Sequence, residues 1–171
     1  MARLAIITTH PIQYNAPWFR LLAEHQNIEL RVFYSWHGGD ADVRDAGFGQ
    51  SVRWDIPLLD GYEYEVCPPS TTVANRTFWN MDSPQLVSSV EAWKPDVVLV
   101  IGWNFRSHVR CMRYFKGRTR VWFRGDSTLL GGRSLLKQWL RRRVLKAVYL
   151  KVDLALAVGQ HNRQYFLEHG L

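Results

Sequence analysis

Five consecutive apolar residues, Val97-Val98-Leu99-Val100-Ile101, introduced by Pro95-Asp96, constrain this chain more than any other feature. The run has no polar face, so it fits a strand buried on both sides, as in the interior of a parallel sheet. Beyond Ile101 one unit repeats. The spacing predicts a helix over Asn104 to Lys116, a strand over Thr119 to Phe123, and a helix from Ser134 to about Leu150. A strand over Leu154 to Val158 and a last helix from about His161 to His169 complete the series. Strands alternating with helices of this length require βαβ crossovers. The predicted fold class is α/β, a Rossmann-like doubly wound and mainly parallel sheet with helices on both faces, in one domain spanning residues 1–171.

The N-terminal half opens in the same way. Arg3 to Thr8 reads as a strand and His10 to Asn15 as a loop. Asn15 is placed to cap a helix running to Ala23, with Pro17 in its first turn. Trp18, Leu21 and Leu22 have the spacing of a buried stripe. A strand over Ile28 to Tyr34 comes next. From 35 to 80 the pattern weakens into a loop-rich insertion containing two strand-like pieces, Val52 to Ile56 and Tyr62 to Val66. Asp82-Ser83-Pro84 then signals the start of a helix reaching about Trp93.

Three phosphate-binding or nucleophile motifs are absent. The first strand-to-helix turn has no glycine, so the dinucleotide fingerprint is missing, and neither a P-loop nor a G-x-S-x-G elbow occurs. Cys67 and Cys111 are too few for a disulfide framework or a structural zinc site. Their scarcity makes a reducing, cytoplasmic compartment the expectation. Asp40, Asp42 and Asp45 lack the glycine and terminal glutamate of a calcium loop, and no metal is expected.

The ends of the chain carry a resemblance. Thr9-His10-Pro11-Ile12-Gln13-Tyr14-Asn15-Ala16-Pro17-Trp18-Phe19-Arg20-Leu21-Leu22-Ala23 resembles the first loop and helix of bacterial glycosyltransferases of family 4 (group 1), which have the GT-B architecture. Leu154 to Gly159, followed by Asn162-Arg163-Gln164-Tyr165-Phe166 and His169-Gly170, is similar to the last strand and helix of that family's N-terminal domain. The resemblance implies an acceptor-binding domain of an enzyme that moves a sugar from a nucleotide sugar to a lipid-linked or polysaccharide acceptor. It implies no cofactor, no metal requirement and retention of anomeric configuration. The C-terminal, donor-binding domain is expected beyond Leu171, and the fragment alone is expected to be inactive. The chain departs from the family where His10 to Asn15 replace a glycine-rich loop, and where Arg124-Gly125-Asp126-Ser127 stand in place of a histidine.

Ligands of an open parallel sheet bind outside the carboxyl ends of its strands, which selects the candidate residues. His10 is the candidate catalytic group, able to act as a base or to bond a hydroxyl; ordering of the Pro11 turn is the alternative. Gln13 and Tyr14 offer uncharged polar contacts to sugar hydroxyls. Trp103 is positioned to stack on a sugar ring, as are Trp36 and Trp79 in the insertion, and Asn104 and His108 come after the same strand as Trp103. Arg124 can grip a phosphate or pair with Asp126, and Ser127 completes the substrate-binding set.

Charge is segregated. Between Val97 and Val152 fourteen Lys or Arg stand against the single acid Asp126, a local +13 in a chain whose net charge is +7. On the helix from Ser134, Leu136, Leu140, Val144 and Ala147 or Val148 are read as the buried stripe, with Leu135 and Trp139 on its flank. Lys137, Arg141, Arg142 and Lys146 then face outward, and Arg106, Arg110 and Arg113 (with Lys116) add a second row from the preceding helix. These rows are expected to form one anion face, for which an anionic membrane at the inner side of the cell envelope is the leading partner. The competing readings are a nucleic-acid-binding module, disfavoured because no such motif occurs, and a standalone α/β interaction domain.

Overall fold

The computed structural model describes residues 1–36, 56–69, 77–129 and 135–171, with side chains from 138 onward in the last of these segments. The strands are β1 (Ala2–Thr8), β2 (Ile28–Tyr34), β3 (Glu63–Val66), β4 (Val97–Ile101), β5 (Arg120–Gly125) and β6 (Leu154–Ala157). The helices are α1 (Ala16–Ala23), α2 (Leu86–Trp93), α3 (Arg106–Phe115), α4 (Leu135–Tyr149) and α5 (Gln160–His169). All six strands are parallel, in the order β3-β2-β1-β4-β5-β6. The fold is therefore the expected Rossmann-like α/β sheet. The piece expected at Val52 to Ile56 lies almost wholly outside the described residues, as do Asp40, Asp42 and Asp45.

The pleat divides the apolar side chains between two cores. Leu4, Ile6, Leu30, Val32, Tyr34 and Leu99 meet Ala16 and Phe19 of α1 on one face. Ala5, Ile7, Phe33, Val98, Val100, Val121 and Phe123 meet α2, α3, α4 and α5 on the other. Consecutive crossovers running outward from β4 must stay on one face to remain right-handed, which is why α3, α4 and α5 share it.

Two aspartates pin the strand starts. Asp96, one residue before β4, accepts the Arg3 N–H at 2.8 Å and returns its own N–H to the Arg3 carbonyl at 2.9 Å. Asp153, one residue before β6, does the same with Val121 at 2.8 and 2.7 Å. Lys116 also binds the Asp153 carboxylate, and with the Val121 N–H it holds that carboxyl below the usual range. On the α1 face, Arg20 donates to the Asp60 and Pro57 carbonyls, and the Tyr34 hydroxyl donates to that of Tyr62 at 2.7 Å. Residues 57–62 are thereby fastened over α1 and the end of β2.

Four helix details differ from the sequence expectation. Asn15 stands at the cap of α1, but its side-chain oxygen accepts the Trp18 indole N–H at 3.2 Å instead of a backbone donor. The buried positions of α1 are Ala16 and Phe19, while Leu21 faces solvent. Asp82 does not cap α2, which begins at Leu86; its carboxylate is taken by Arg110 of α3 at 2.9 Å. In α4 the core takes Leu145, Val148 and Tyr149, and the predicted stripe through Leu140 and Val144 is exposed. Tyr149 decides the rotation, because its ring packs 5.5 Å from Phe123 and 5.8 Å from Phe166, and turning Leu140 inward would withdraw it.

Candidate functional site

Crossovers leave β1 toward β2 on one side, and the chain returns to β4 on the other, so a crevice opens outside the carboxyl ends of β1 and β4. Each strand here hands one more hydrogen bond to its neighbour before the loops diverge. Ser35 N–H donates to the Thr8 carbonyl at 3.0 Å, and Gly102 N–H donates to the Arg124 carbonyl at 2.9 Å. Gly102 adopts φ +75°, a conformation that glycine accepts without a side-chain clash against its own backbone.

His108 ties these loops together from below. Its Nδ1 lies 3.0 Å from the Gly102 carbonyl and its Nε2 2.8 Å from the Ser35 hydroxyl. A carbonyl can only accept, so Nδ1 carries the proton and the Ser35 hydroxyl donates to Nε2. Burial pushes the His108 pKa down to about 4, so the ring is neutral. It is a positioning group: no face of it reaches the crevice.

At the crevice itself the β1–β2 register sets the geometry. Thr8 pairs with Tyr34, so His10 and Trp36, each two residues further on, emerge side by side with ring centroids 5.4 Å apart. Thr9 Oγ1 lies 2.9 Å from His10 Nδ1 and fixes the orientation of the ring. Both residues are half-buried, which leaves an imidazole and an indole partly open at the rim. Arg124, at the end of β5, sets its guanidinium carbon 5.1 Å from the Trp18 ring on the α1 face. Among the described residues no ion pair joins it to Asp126.

The remaining candidates are distributed around this edge. Trp103 packs against the core on the α2–α5 face, so it and Arg124 leave the edge toward opposite sides of the sheet. Tyr14, Asn104 and Asp126 are exposed, and Gln13 and Ser127 are half-buried. The Ser127 carbonyl accepts from the Asn162 side chain at 2.8 Å, while the Asn162 oxygen accepts the Val158 N–H at 3.1 Å. That buried asparagine joins the loops after β5 and β6. Trp79 stands on the surface with the Arg106 guanidinium 5.7 Å above it. Trp18 and Ser35 carry no local signal for a place at the site, because the contacts that supply their roles depend on strand order, which no local spacing displays.

A hollow of about 250 Å³ lined by Glu91, Lys94, Pro95, Tyr114, Phe115, Arg118 and Thr119 lies at the opposite, amino ends of β4 and β5. Its rim is occupied by the Tyr114 hydroxyl bonded to Glu91 and by Arg118 over the Tyr114 ring. The crevice end of a parallel sheet, and not this hollow, is where the loops converge. Among the described residues no group of three His, Cys, Asp or Glu is placed to hold a metal ion.

Several cations of the expected anion face are taken up by partners of their own. Arg110 and Arg106 turn to Asp82, at 2.9 and 3.7 Å. Lys116 is bound to Asp153 and to the Val152 carbonyl. Arg141 lies half-buried with its Nε 3.0 Å from the Tyr165 hydroxyl. Arg113, Arg142 and Lys146 are exposed, as is Arg143; the Lys137 side chain lies outside the described residues. The window of fourteen cations, Val97 to Val152, leaves out the acids that answer these residues, Asp82 on its N-terminal side and Asp153 immediately after it. Neither protein-family models nor curated protein sequences yield a match to this chain.

Proposed function

We propose that this chain is the acceptor-side domain of a nucleotide-sugar-dependent glycosyltransferase of the two-domain GT-B kind, acting on a lipid-linked or polysaccharide acceptor. The observation that carries the reading is the His10–Trp36 pair at the switch point of a parallel sheet whose first turn lacks a phosphate-binding glycine loop. An indole face and an imidazole suit a ring with hydroxyl groups: the indole covers the apolar C–H face, and the imidazole bonds or deprotonates a hydroxyl. A dinucleotide would need backbone N–H groups at close approach, which a Pro11-containing turn does not supply. The likeness of residues 9–23 and 154–170 to family 4 supports the same reading.

In this reading His10 takes the acceptor proton or orients the attacking hydroxyl, and Trp36 fixes the sugar plane. Arg124, already packed against Trp18, meets an acceptor phosphate where there is one. The donor and its leaving diphosphate belong to a second domain, so the chain alone should bind acceptor without transferring sugar. Titration of the 171-residue chain with lipid-diphosphate-linked saccharides, followed by intrinsic tryptophan fluorescence, tests this. Saturable quenching that Trp36→Ala and His10→Ala each weaken about tenfold or more is expected, the magnitude of one lost stacking or charged contact. Failure of every saccharide to bind, or submicromolar binding of uridine or guanosine diphosphate sugars to this chain alone, would overturn it.

A further inference from the structure

Helix α4 carries two apolar rows, and the core uses one of them. Leu145, Val148 and Tyr149 are buried. Trp139, Leu140 and Val144 form the other row and are 56, 58 and 43% exposed. At 100° per residue, Trp139, Arg143, Ala147, Leu140 and Val144 fall within one arc of about 140°. Leu150, in the turn after the helix, continues it at 74% exposure. Arg142 and Lys146 border the arc, and the Arg143 guanidinium lies 5.2 Å from the Trp139 ring. None of these three cations takes part in an ion pair among the described residues.

We propose that this face of α4 docks on an anionic lipid bilayer, lying in the interfacial plane. Trp139, Leu140 and Val144 enter the headgroup–acyl boundary, and Arg142, Arg143 and Lys146 reach lipid phosphates. An indole is apolar over its faces and keeps one N–H for the headgroup layer, and long basic side chains extend their charge outward while the stems stay on the apolar side. Charge complementarity selects this occupant. A second copy meeting across a twofold axis would set Arg142, Arg143 and Lys146 against their own counterparts. A nucleic-acid backbone would be matched by the cations but would leave the Leu140 and Val144 side chains against phosphate and water. Among the described residues no helix is long and apolar enough to cross a membrane, so the contact is with the surface. The proposal does not depend on sugar transfer, because vesicle binding needs neither donor nor acceptor.

The test is co-sedimentation of the 171-residue chain with phosphatidylcholine vesicles made with and without phosphatidylglycerol. Binding should favour the anionic vesicles by about tenfold or more and weaken as salt rises. Arg142→Glu with Arg143→Glu should lower the affinity at least about tenfold, given roughly 1 kcal/mol for each basic residue near such a surface. Trp139→Ser with Leu140→Ser should lower it comparably with an unchanged Tm, whereas Arg113→Glu on α3 should leave it intact. Trp139→Phe should retain binding but lose much of the fluorescence quenching by lipids brominated near the glycerol backbone, which separates insertion from adsorption. Equal binding to neutral and anionic vesicles, or no binding, overturns the proposal. So does indifference to the Trp139/Leu140 pair, a dimer that the same pair dissociates, or tighter binding to duplex DNA at equal salt.

Discussion

His108 has no contact with water, and the groups around it fix its charge. Nδ1–H donates to the Gly102 carbonyl and Nε2 accepts from Ser35, so a second proton on the ring would face the Ser35 oxygen in a medium that penalises the charge. The folded-state pKa is about 4 and the ordinary value about 6.5, so between these the unfolded chain binds a proton that the folded chain refuses. Stability contributed here is therefore intact above pH 6.5, falls as pH drops toward 4, and falls no further below it, a total of about 3 kcal/mol. Urea unfolding of the wild type and of His108→Gln at about pH 7 and about pH 4.5 measures it. The variant should lose less stability between the two pH values, and equal losses would show that His108 titrates normally. Gly102 supplies the other half of this junction. A methyl group there meets open space, so Gly102→Ala is penalised only through φ +75°, about 1 kcal/mol. That corresponds to a Tm lower by about 2–4 °C for a chain of this size. An unchanged Tm would mean that the loop can relax to a negative φ.

At the scale of the element, α4 separates what periodicity can tell from what it cannot. Leu145→Ala should cost about 2–5 kcal/mol, because its side chain is fully buried in the core that α4 shares with α5 and β5. Leu140→Ala should fall within about 0.5 kcal/mol of wild type, being exposed. Equilibrium unfolding of the two variants decides the rotation of the helix, and a larger loss at Leu140 would restore the row read from sequence. Strand and helix bounds are legible to within about two residues from Val97 onward, since continuous apolar runs and polar interruptions are local. The buried face of α4 is not legible, because Leu140/Val144 and Leu145/Val148 both satisfy a 3.6-residue period. Only Tyr149, wedged between Phe123 and Phe166, breaks the tie, and those partners are distant in sequence. The candidate site divides in the same way. That His10, Trp103 and Arg124 share the carboxyl edge follows from a parallel sheet, which the alternation of elements predicts. That His10 meets Trp36, or Arg124 meets Trp18, follows from which strands are neighbours and from which face each loop leaves.

At the scale of the molecule, the described residues are built on one sheet with unequal sides, α1 alone among the described helices on one and α2 to α5 on the other. The sheet is central to both cores: Ile6 and Ile7 of β1 point to opposite faces and are both fully buried. Neither core can be exposed without losing strands that the other needs. β1 also joins the halves laterally, pairing with β2 over Ala2–Thr8 and with β4 over Leu4–Ile7. The hydrogen bonds through Ser35, His108 and Gly102 add a further tie between the β2 and β4 sides. Unfolding should therefore be a single cooperative transition, with a calorimetric enthalpy equal to the van't Hoff enthalpy and of about 120 kcal/mol for a chain of this length. Scanning calorimetry, alongside circular dichroism at far- and near-ultraviolet wavelengths, provides the measurement. Two transitions, or near-ultraviolet loss preceding far-ultraviolet loss, would mean that β3-β2-β1 and β4-β5-β6 melt separately. In that event His108→Gln should widen the gap between the transitions, because it cuts the bond that ties the β2 loop to the β4 loop.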